Sequence, residues 1–386
     1  MSKPLVLTCD IGTQSARALL VDPDGRIVDV VQSKYAEPYF SKEPGWAEQK
    51  PDFYFDRMCE CCRELCARSN ALLPDVIAMT ITVIRDTVVC LDENNNPLRD
   101  IILWLDKRSV DPNGAMPAKN MMVFKVAGME PTAKVVYAAS AGNWIMRHEP
   151  EIWAKTAKYV MLPTYLNYKL TGNLIDSASN QIGHIPFDYK NRRWMKPGSL
   201  TRCFCDVPNE KLCDLVPSGT VIGTITEEVS ALTGIPAGLP LISTGSDKGC
   251  ETLGLAVVDS DKASISLGTT ATIQFSTTQY VEPQQFLPAY PGVLNDHYNP
   301  EIEIYRGLWL LSWFVKEFGT ADAIDAKEMG MAPEALLDQR IRDLPAGSDG
   351  LLLQPYWTAG ILHPDSLGAV IGFSDYHTRY HFYRAI

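Results

Sequence analysis

LVLTCDIGTQSARALLVD, residues 5–22, decides the fold. An apolar run ends in Asp10, a bend forms at Gly12-Thr13, and a second apolar run returns through Arg17. A second stretch of the same kind, ASISLGTTATIQFS, lies at residues 263–276 with Gly268-Thr269-Thr270 at its bend. Glycine permits a tight turn and lets backbone N–H groups approach an anion. Two such hairpins facing each other would clamp a polyphosphate from two sides. A carboxylate ending the first strand is placed to hold Mg²⁺ through water. The pattern predicts an ATP-dependent phosphotransferase with its site between two lobes. Within the first hairpin, Gly12, Thr13, Gln14, Ser15 and Arg17 form the expected phosphate edge and Asp10 the metal edge. An ordinary hairpin would also explain these residues taken alone.

Outward from these hairpins, 386 residues predict two or three domains. Apolar residues make up 46% and charged residues 21%, enough for a sizeable core. A net charge of −11 argues against a nucleic-acid partner, which requires a basic face. No run of about 18 apolar residues predicts a membrane span. The first strand starts within a few residues of Met1, which leaves no room for a signal peptide. Ten cysteines include Cys59, Cys62 and Cys66 at i, i+3 and i+7. A metal site would need a second CxxC pair or a nearby histidine. They read as buried, reduced thiols on an amphipathic helix of a cytoplasmic protein.

Residues 5–34 read as three strands, with a Pro23-Asp24-Gly25 hairpin turn. A helix is expected over 52–69 with Asp52 as its N-cap. Residues 76–91 read as two strands interrupted at Arg85-Asp86, and 101–104 as a short strand. Helical pattern dominates 137–170 and stops at Gly172. Residues 174–215 read as irregular. A strand over 220–226, a helix over 227–233 and a buried strand over 241–244 follow. The domain boundary is placed near 245, giving lobes 1–245 and 246–386.

Three charged groups interrupt apolar segments. Asp247, in Gly245-Ser246-Asp247-Lys248-Gly249, follows a buried strand and could take the proton of a substrate hydroxyl. It could equally cap the next helix. Arg85-Asp86 is costly between buried strands unless satisfied, either by mutual pairing or by a polyol. Trp104, Asp106 and Arg108 pose the same choice.

At this point the chain resembles the FGGY carbohydrate kinases, the sugar branch of the actin-like ATPase fold. The likeness rests on DIGTQSARALLVD, EPGWAEQ, ITVIRDTVV, ILWLDKRS, EPEIWAKTAKYVMLPTYLNYKLTG, GSDKGCETLG and SLGTTA, in order along the chain. It continues through GSDGLLLQPYWTAGILHPDSLGAVIGFS and HTRYHFYRAI. The resemblance implies an α/β, ribonuclease H-like, two-lobed fold with an incomplete second lobe. It implies Asp247 as catalytic base and sugar contact, and Arg85, Asp86 and Trp104 in the sugar pocket. Gly12, Thr13, Gln14, Arg17, Gly268 and Thr269 would hold the nucleotide phosphates, and Asp10 the Mg²⁺. The implied partners are ATP and a sugar or polyol. A homodimer is an option the sequence leaves open.

The chain departs from the family at Lys248 and Cys250, and at Gly360-Ile361-Leu362-His363-Pro364, where the family carries a basic residue. It also stops at Ile386, before the expected Gly-rich adenosine loop. On this reading apolar surface is exposed in the second lobe and ATP binds weakly. A non-catalytic sugar-binding pseudokinase is the alternative. An actin-like ATPase without a sugar substrate fits the hairpins but not Arg85-Asp86.

Overall fold

The computed structural model describes residues 3–268, 270–284, 287–358 and 365–386. Two compact units emerge: Met1–Lys262 with Phe275–Pro300, and Ala263–Gln274 with Glu301–Ile386.

The first unit is built on a six-stranded sheet. Its strands are β1 (Leu5–Ile11), β2 (Ser15–Val21), β3 (Ile27–Lys34), β4 (Val76–Val83), β5 (Val221–Thr224) and β6 (Pro240–Ile242), in spatial order β5-β6-β4-β1-β2-β3. The first three form an antiparallel meander. β1 and β6 both lie parallel to β4, with Leu7 and Leu241 each opposite Met79. Parallel pairing demands crossover connections, and α1 (Phe53–Arg68) and α2 (Leu162–Thr171) supply helices for them.

Alternation along the strands sorts the two faces. Leu5, Leu7, Cys9 and Ile11 of β1, with Met79, Ile81 and Val83 of β4, share one core with Tyr54, Met58 and Leu65 of α1 and Tyr165, Leu166 and Leu170 of α2. Thr8 and Asp10 of β1 and Thr80 and Thr82 of β4 point to the other face, where Thr80 Oγ1 donates to Thr8 Oγ1 at 2.9 Å. The carboxyl ends of β1, β4 and β6 therefore reach one sheet edge together, the edge where open α/β sheets bind ligands.

α1 forms as expected, and Asp52 occupies its N-cap position without making a side-chain cap bond. Its carboxylate instead accepts from Tyr165 Oη at 2.7 Å and pairs with Lys169 at 3.0 Å. α2 ends at Gly172, which takes the left-handed conformation at φ 80°. The expected helical run over 137–170 is broken by a strand, Lys158–Met161, which pairs with Val88–Leu91 in a second, four-stranded sheet. This strand is too short for its period to stand out between helices.

The unit boundary falls after Lys262, not near 245. β6 is tied to β4, and the helix that follows it, α4 (Asp247–Gly254, after α3, Glu227–Thr233), also belongs to the first unit. Residues 275–300 return to that unit as well.

In the second unit, β7 (Ser264–Leu267), β8 (Ala271–Gln274) and β9 (Glu301–Ile304) form an antiparallel sheet. The second Gly-Thr hairpin is therefore present. Gly268 lies at its bend, and Thr269 is outside the described residues, as is the 360–364 segment. Ile265, Ile273 and Ile302 stand opposite one another in register and all three are exposed. Phe314, Leu337, Ile341, Phe382 and Tyr383 form this unit's own core. The last helix runs Arg379–Ala385 and starts with a capping box: Thr378 accepts from Tyr380 N, and the His381 ring accepts from Thr378 N.

Cys9, Cys59, Cys61, Cys62, Cys66, Cys90, Cys205 and Cys213 are buried, and Cys203 and Cys250 are partly exposed. Burial pushes the Cys59 and Cys66 thiols up to about 12, far from the reactive thiolate range. Titration of the native protein with an aromatic disulfide reagent should modify Cys203 and Cys250 first. The other eight should react only after unfolding; rapid native reaction at Cys59 or Cys62 would contradict this packing.

Candidate active site

The site grows from the edge where β1, β4 and β6 end. Asp10, the penultimate residue of β1, lies opposite Arg17 in the β1–β2 register, and the two pair at 2.5 Å. Both remain more than a third exposed. Gly12 N donates to Ser15 O at 3.0 Å and closes the turn. Thr13 Oγ1 accepts from Trp104 Nε1 at 2.9 Å, so the indole expected in the sugar pocket is tethered to the Gly12 turn and stays exposed. Gln14 O accepts from Tyr35 N, which anchors the other side of the same turn.

Beyond β4 the chain turns sharply. Asp86 sits at φ 47°, a left-handed conformation that is uncommon outside glycine. Its backbone N–H donates to Ile182 O at 3.1 Å. Its carboxylate accepts from His184 N at 2.8 Å and meets His184 Nδ1 at 2.7 Å. Gly183 is what permits this approach: a Cβ there would lie 2.3 Å from Asp86 Oδ1 and 2.9 Å from Asp86 Cα. Burial alone would raise the Asp86 carboxyl, but the His184 and Arg85 charges overcome it and hold the group below its usual range. Burial opposes the His184 cation, yet Asp86 outweighs it and holds the imidazole above its ordinary value.

Arg85 turns the other way. Its Nε lies 3.6 Å from Asp247 Oδ1, and its guanidinium sits over the Tyr290 ring at 5.5 Å. Asp247 is the first residue of α4, but the cap itself is Ser246, whose hydroxyl accepts from Gly249 N. The capping role open to Asp247 in the sequence is thus taken by its neighbour. Asp247 keeps about 26% of its side chain exposed. Burial pushes its carboxyl up, and Arg85 restrains the rise. Asp106 and Arg108 stand apart from these groups. Their side chains are 2% exposed and pair at 2.8 Å, with Arg108 also 3.0 Å from Glu48 and stacked over Trp46. That is a structural ion cluster.

The sequence reading missed the segment that organises this edge. Asp176, fully buried, accepts from Ser177 N at 2.7 Å, Thr164 Oγ1 and Asn180 Nδ2 at 2.8 Å each, and Gln181 Nε2 at 3.2 Å. Ser177 Oγ donates to Thr244 O, Ser179 Oγ to Gly292 O at 2.6 Å, and Ser246 N to Ser179 O at 3.2 Å. The stretch expected to be irregular is therefore bound on both sides and delivers Gly183-His184 to Asp86. The one sequence signal was a Gly-His pair inside an apolar run.

Comparison with known proteins shows the family and the fold. The FGGY family of carbohydrate kinases, N-terminal domain, matches residues 5–254. The uncharacterized sugar kinase YgcE of Escherichia coli is 26% identical over all of this chain and 71% of its own length. The xylulose kinase of Bacillus subtilis is 25% identical over 99% of this chain and 74% of its own length. Among solved structures, the xylulose kinase of Rhodospirillum rubrum superposes with a TM-score of 0.79 at 25% identity, covering 99% of this chain and 75% of that one. The gluconate kinase of Lactobacillus acidophilus superposes at 0.81 and 22% identity, over 100% and 75%. The fold is the two-lobed α/β fold of actin-like ATPases expected from the sequence.

Two outcomes follow from the charges. Removing the Arg85 cation should let burial raise Asp247 further, so in Arg85→Gln the acid limb of kcat, measured at saturating acceptor, should move to higher pH. An unmoved limb would detach Arg85 from Asp247. Burial pushes Asp176 up to about 6 against an ordinary 3.8. A group raised on folding stabilises the fold fully below its unfolded value, and that contribution is lost as pH rises through the folded one. Thermal unfolding should therefore show wild type losing on the order of 3 kcal/mol relative to Asp176→Asn between about pH 4 and pH 6; parallel curves would contradict the assignment.

By the match of that N-terminal domain over residues 5–254, the chain belongs to the FGGY family of carbohydrate kinases.

Proposed function

We propose that this carbohydrate kinase moves the γ-phosphoryl group of ATP onto a hydroxyl of a sugar or polyol held at the carboxyl edge of the first unit's sheet. The observation that carries the reading is Asp247, partly exposed at the start of α4 and 3.6 Å from Arg85 at the end of the neighbouring strand. The family match and the sugar kinases among the relatives support it.

The acceptor oxygen attacks the γ-phosphorus, the bond to the β,γ-bridging oxygen breaks, and ADP leaves. The hydroxyl proton passes to an Asp247 carboxylate oxygen as the new P–O bond forms. Arg85 and Asp247 orient the acceptor, and Trp104 walls its approach. The Gly12–Arg17 turn, with Thr13 and Gln14, receives phosphate oxygens. Asp10 fits a hydrated Mg²⁺, because one oxygen pairs with Arg17 while the group stays about a third exposed; Mg²⁺ keeps its waters and takes only one or two carboxylates. When bound, the ion supplies charge neutralisation on the phosphates. Ten free cysteines support a reducing, cytoplasmic setting.

The test is ATP-dependent phosphorylation of a panel of D-xylulose, D-gluconate, D-ribulose and glycerol. Wild type should phosphorylate at least one. Asp247→Asn should bind that acceptor within a few fold yet turn over about a hundredfold or more slowly, the scale of a lost general base. Equal turnover in the variant would remove Asp247 from the chemistry.

A further inference from the structure

Arg85 and Asp86 are adjacent in sequence, yet they serve different ends. Arg85 reaches Asp247. Asp86 turns back and spends both carboxylate oxygens on one residue: Oδ1 on the His184 backbone N–H and Oδ2 on the His184 ring at Nδ1. A carboxylate that fixes one ring nitrogen of a histidine sets its tautomer and aims the other nitrogen. Nδ1 then carries a proton directed at Asp86, and Nε2 is the polar atom the ring has left to offer.

The surroundings show how firmly this is built. Asp86 holds a left-handed backbone, Gly183 is stripped of the Cβ that would collide with it, and Tyr189 Oη both accepts from Gly183 N and donates to Gly183 O. Strain of this kind persists only where the surroundings over-determine it, and it gathers at ligand sites. About a quarter of the His184 side chain remains open to solvent. The charged and titratable groups acting on the pair are Arg85 and Tyr189, with Cys205 and Tyr159 buried nearby, and Asp247 lies beyond Arg85. His184 is thus linked through Asp86 to Arg85, whose charge acts on Asp86 and whose Nε reaches Asp247.

We infer that His184 is a specificity-determining contact of the acceptor site, its Nε2 hydrogen-bonding one hydroxyl of the sugar, and that Asp86 acts through it as a positioning residue. This rests on the carbohydrate-kinase reading of the same edge. It divides the Arg85-Asp86 pair: Arg85 and His184 meet the acceptor, whereas Asp86 holds His184 in place. A site so arranged selects acceptors by the presence of that one hydroxyl, because an acceptor lacking it leaves a half-buried polar atom unpaired.

The test uses the full chain and the panel sugar that wild type phosphorylates fastest, together with its monodeoxy analogues. In His184→Ala and His184→Gln the KM for that sugar should rise about tenfold, the scale of one lost hydrogen bond. kcat should stay within about threefold, and the KM for ATP should not move. One monodeoxy analogue should be as poor a substrate of wild type as the parent sugar is of His184→Ala, and it should be insensitive to the substitution. Asp86→Asn, which suits a left-handed backbone, should reproduce the KM of His184→Ala. Combining the two should add nothing further. An unchanged sugar KM in both His184 variants, or equal losses across all analogues, would overturn the inference while leaving the kinase reading intact. An additive double variant would overturn the positioning role by making Asp86 a direct contact. Failure of wild type to phosphorylate any panel sugar would overturn both readings together.

Discussion

The parallel pairing of β1 and β6 with β4 is the constraint on which the site depends. Leu7, Met79 and Leu241 lie side by side in the middle of the sheet, buried on the helix face. Because all three strands run the same way, whatever follows each of them arrives at the same edge. Asp10 and the Gly12 turn come from the first, Arg85 and Asp86 from the second, Asp247 from the third. Residues up to 237 positions apart in the chain become neighbours by register alone. An antiparallel partner in the centre would send one of these groups to the opposite end of the sheet.

The alternation that buries Leu7 and Cys9 also determines the character of the other face. Thr8, Asp10, Thr80 and Thr82 are polar because they sit one residue out of phase with the core. Here fold and chemistry use the same period: a single-residue slip of β1 would bury Asp10 and expose Leu7. The costly items near the edge are each answered locally. Asp86 has His184, Asp247 has Arg85, and Asp176 has four donors. A buried carboxylate without such partners would be neutral at working pH or would not be tolerated.

Much of this was legible in the sequence because the signals were local. The first hairpin shows its apolar runs and glycine within eighteen residues, and Asp247 follows a short buried strand in a five-residue motif. The caps were only partly legible. Ser246 takes the cap position that Asp247 could have filled, since both residue types suit it and only the backbone path decides between them. The boundary read near 245 differs from the one after Lys262 because α4 and residues 275–300 also belong to the first unit, and no local composition records that. His184 was missed for the same reason. Its meaning lies in Asp86, 98 residues away, and in a glycine whose role is to leave space. Sequence patterns report periodicity and turns; they do not report which irregular segment folds back onto which strand end.

The central claim is that the acceptor is held where β1, β4 and β6 end. A crystal structure of the full chain grown with a sugar it phosphorylates tests this most directly. The account predicts the reacting hydroxyl within hydrogen-bond reach of Asp247, with Arg85 contacting the same molecule. A sugar bound away from Asp247, with this edge occupied only by solvent, would contradict it.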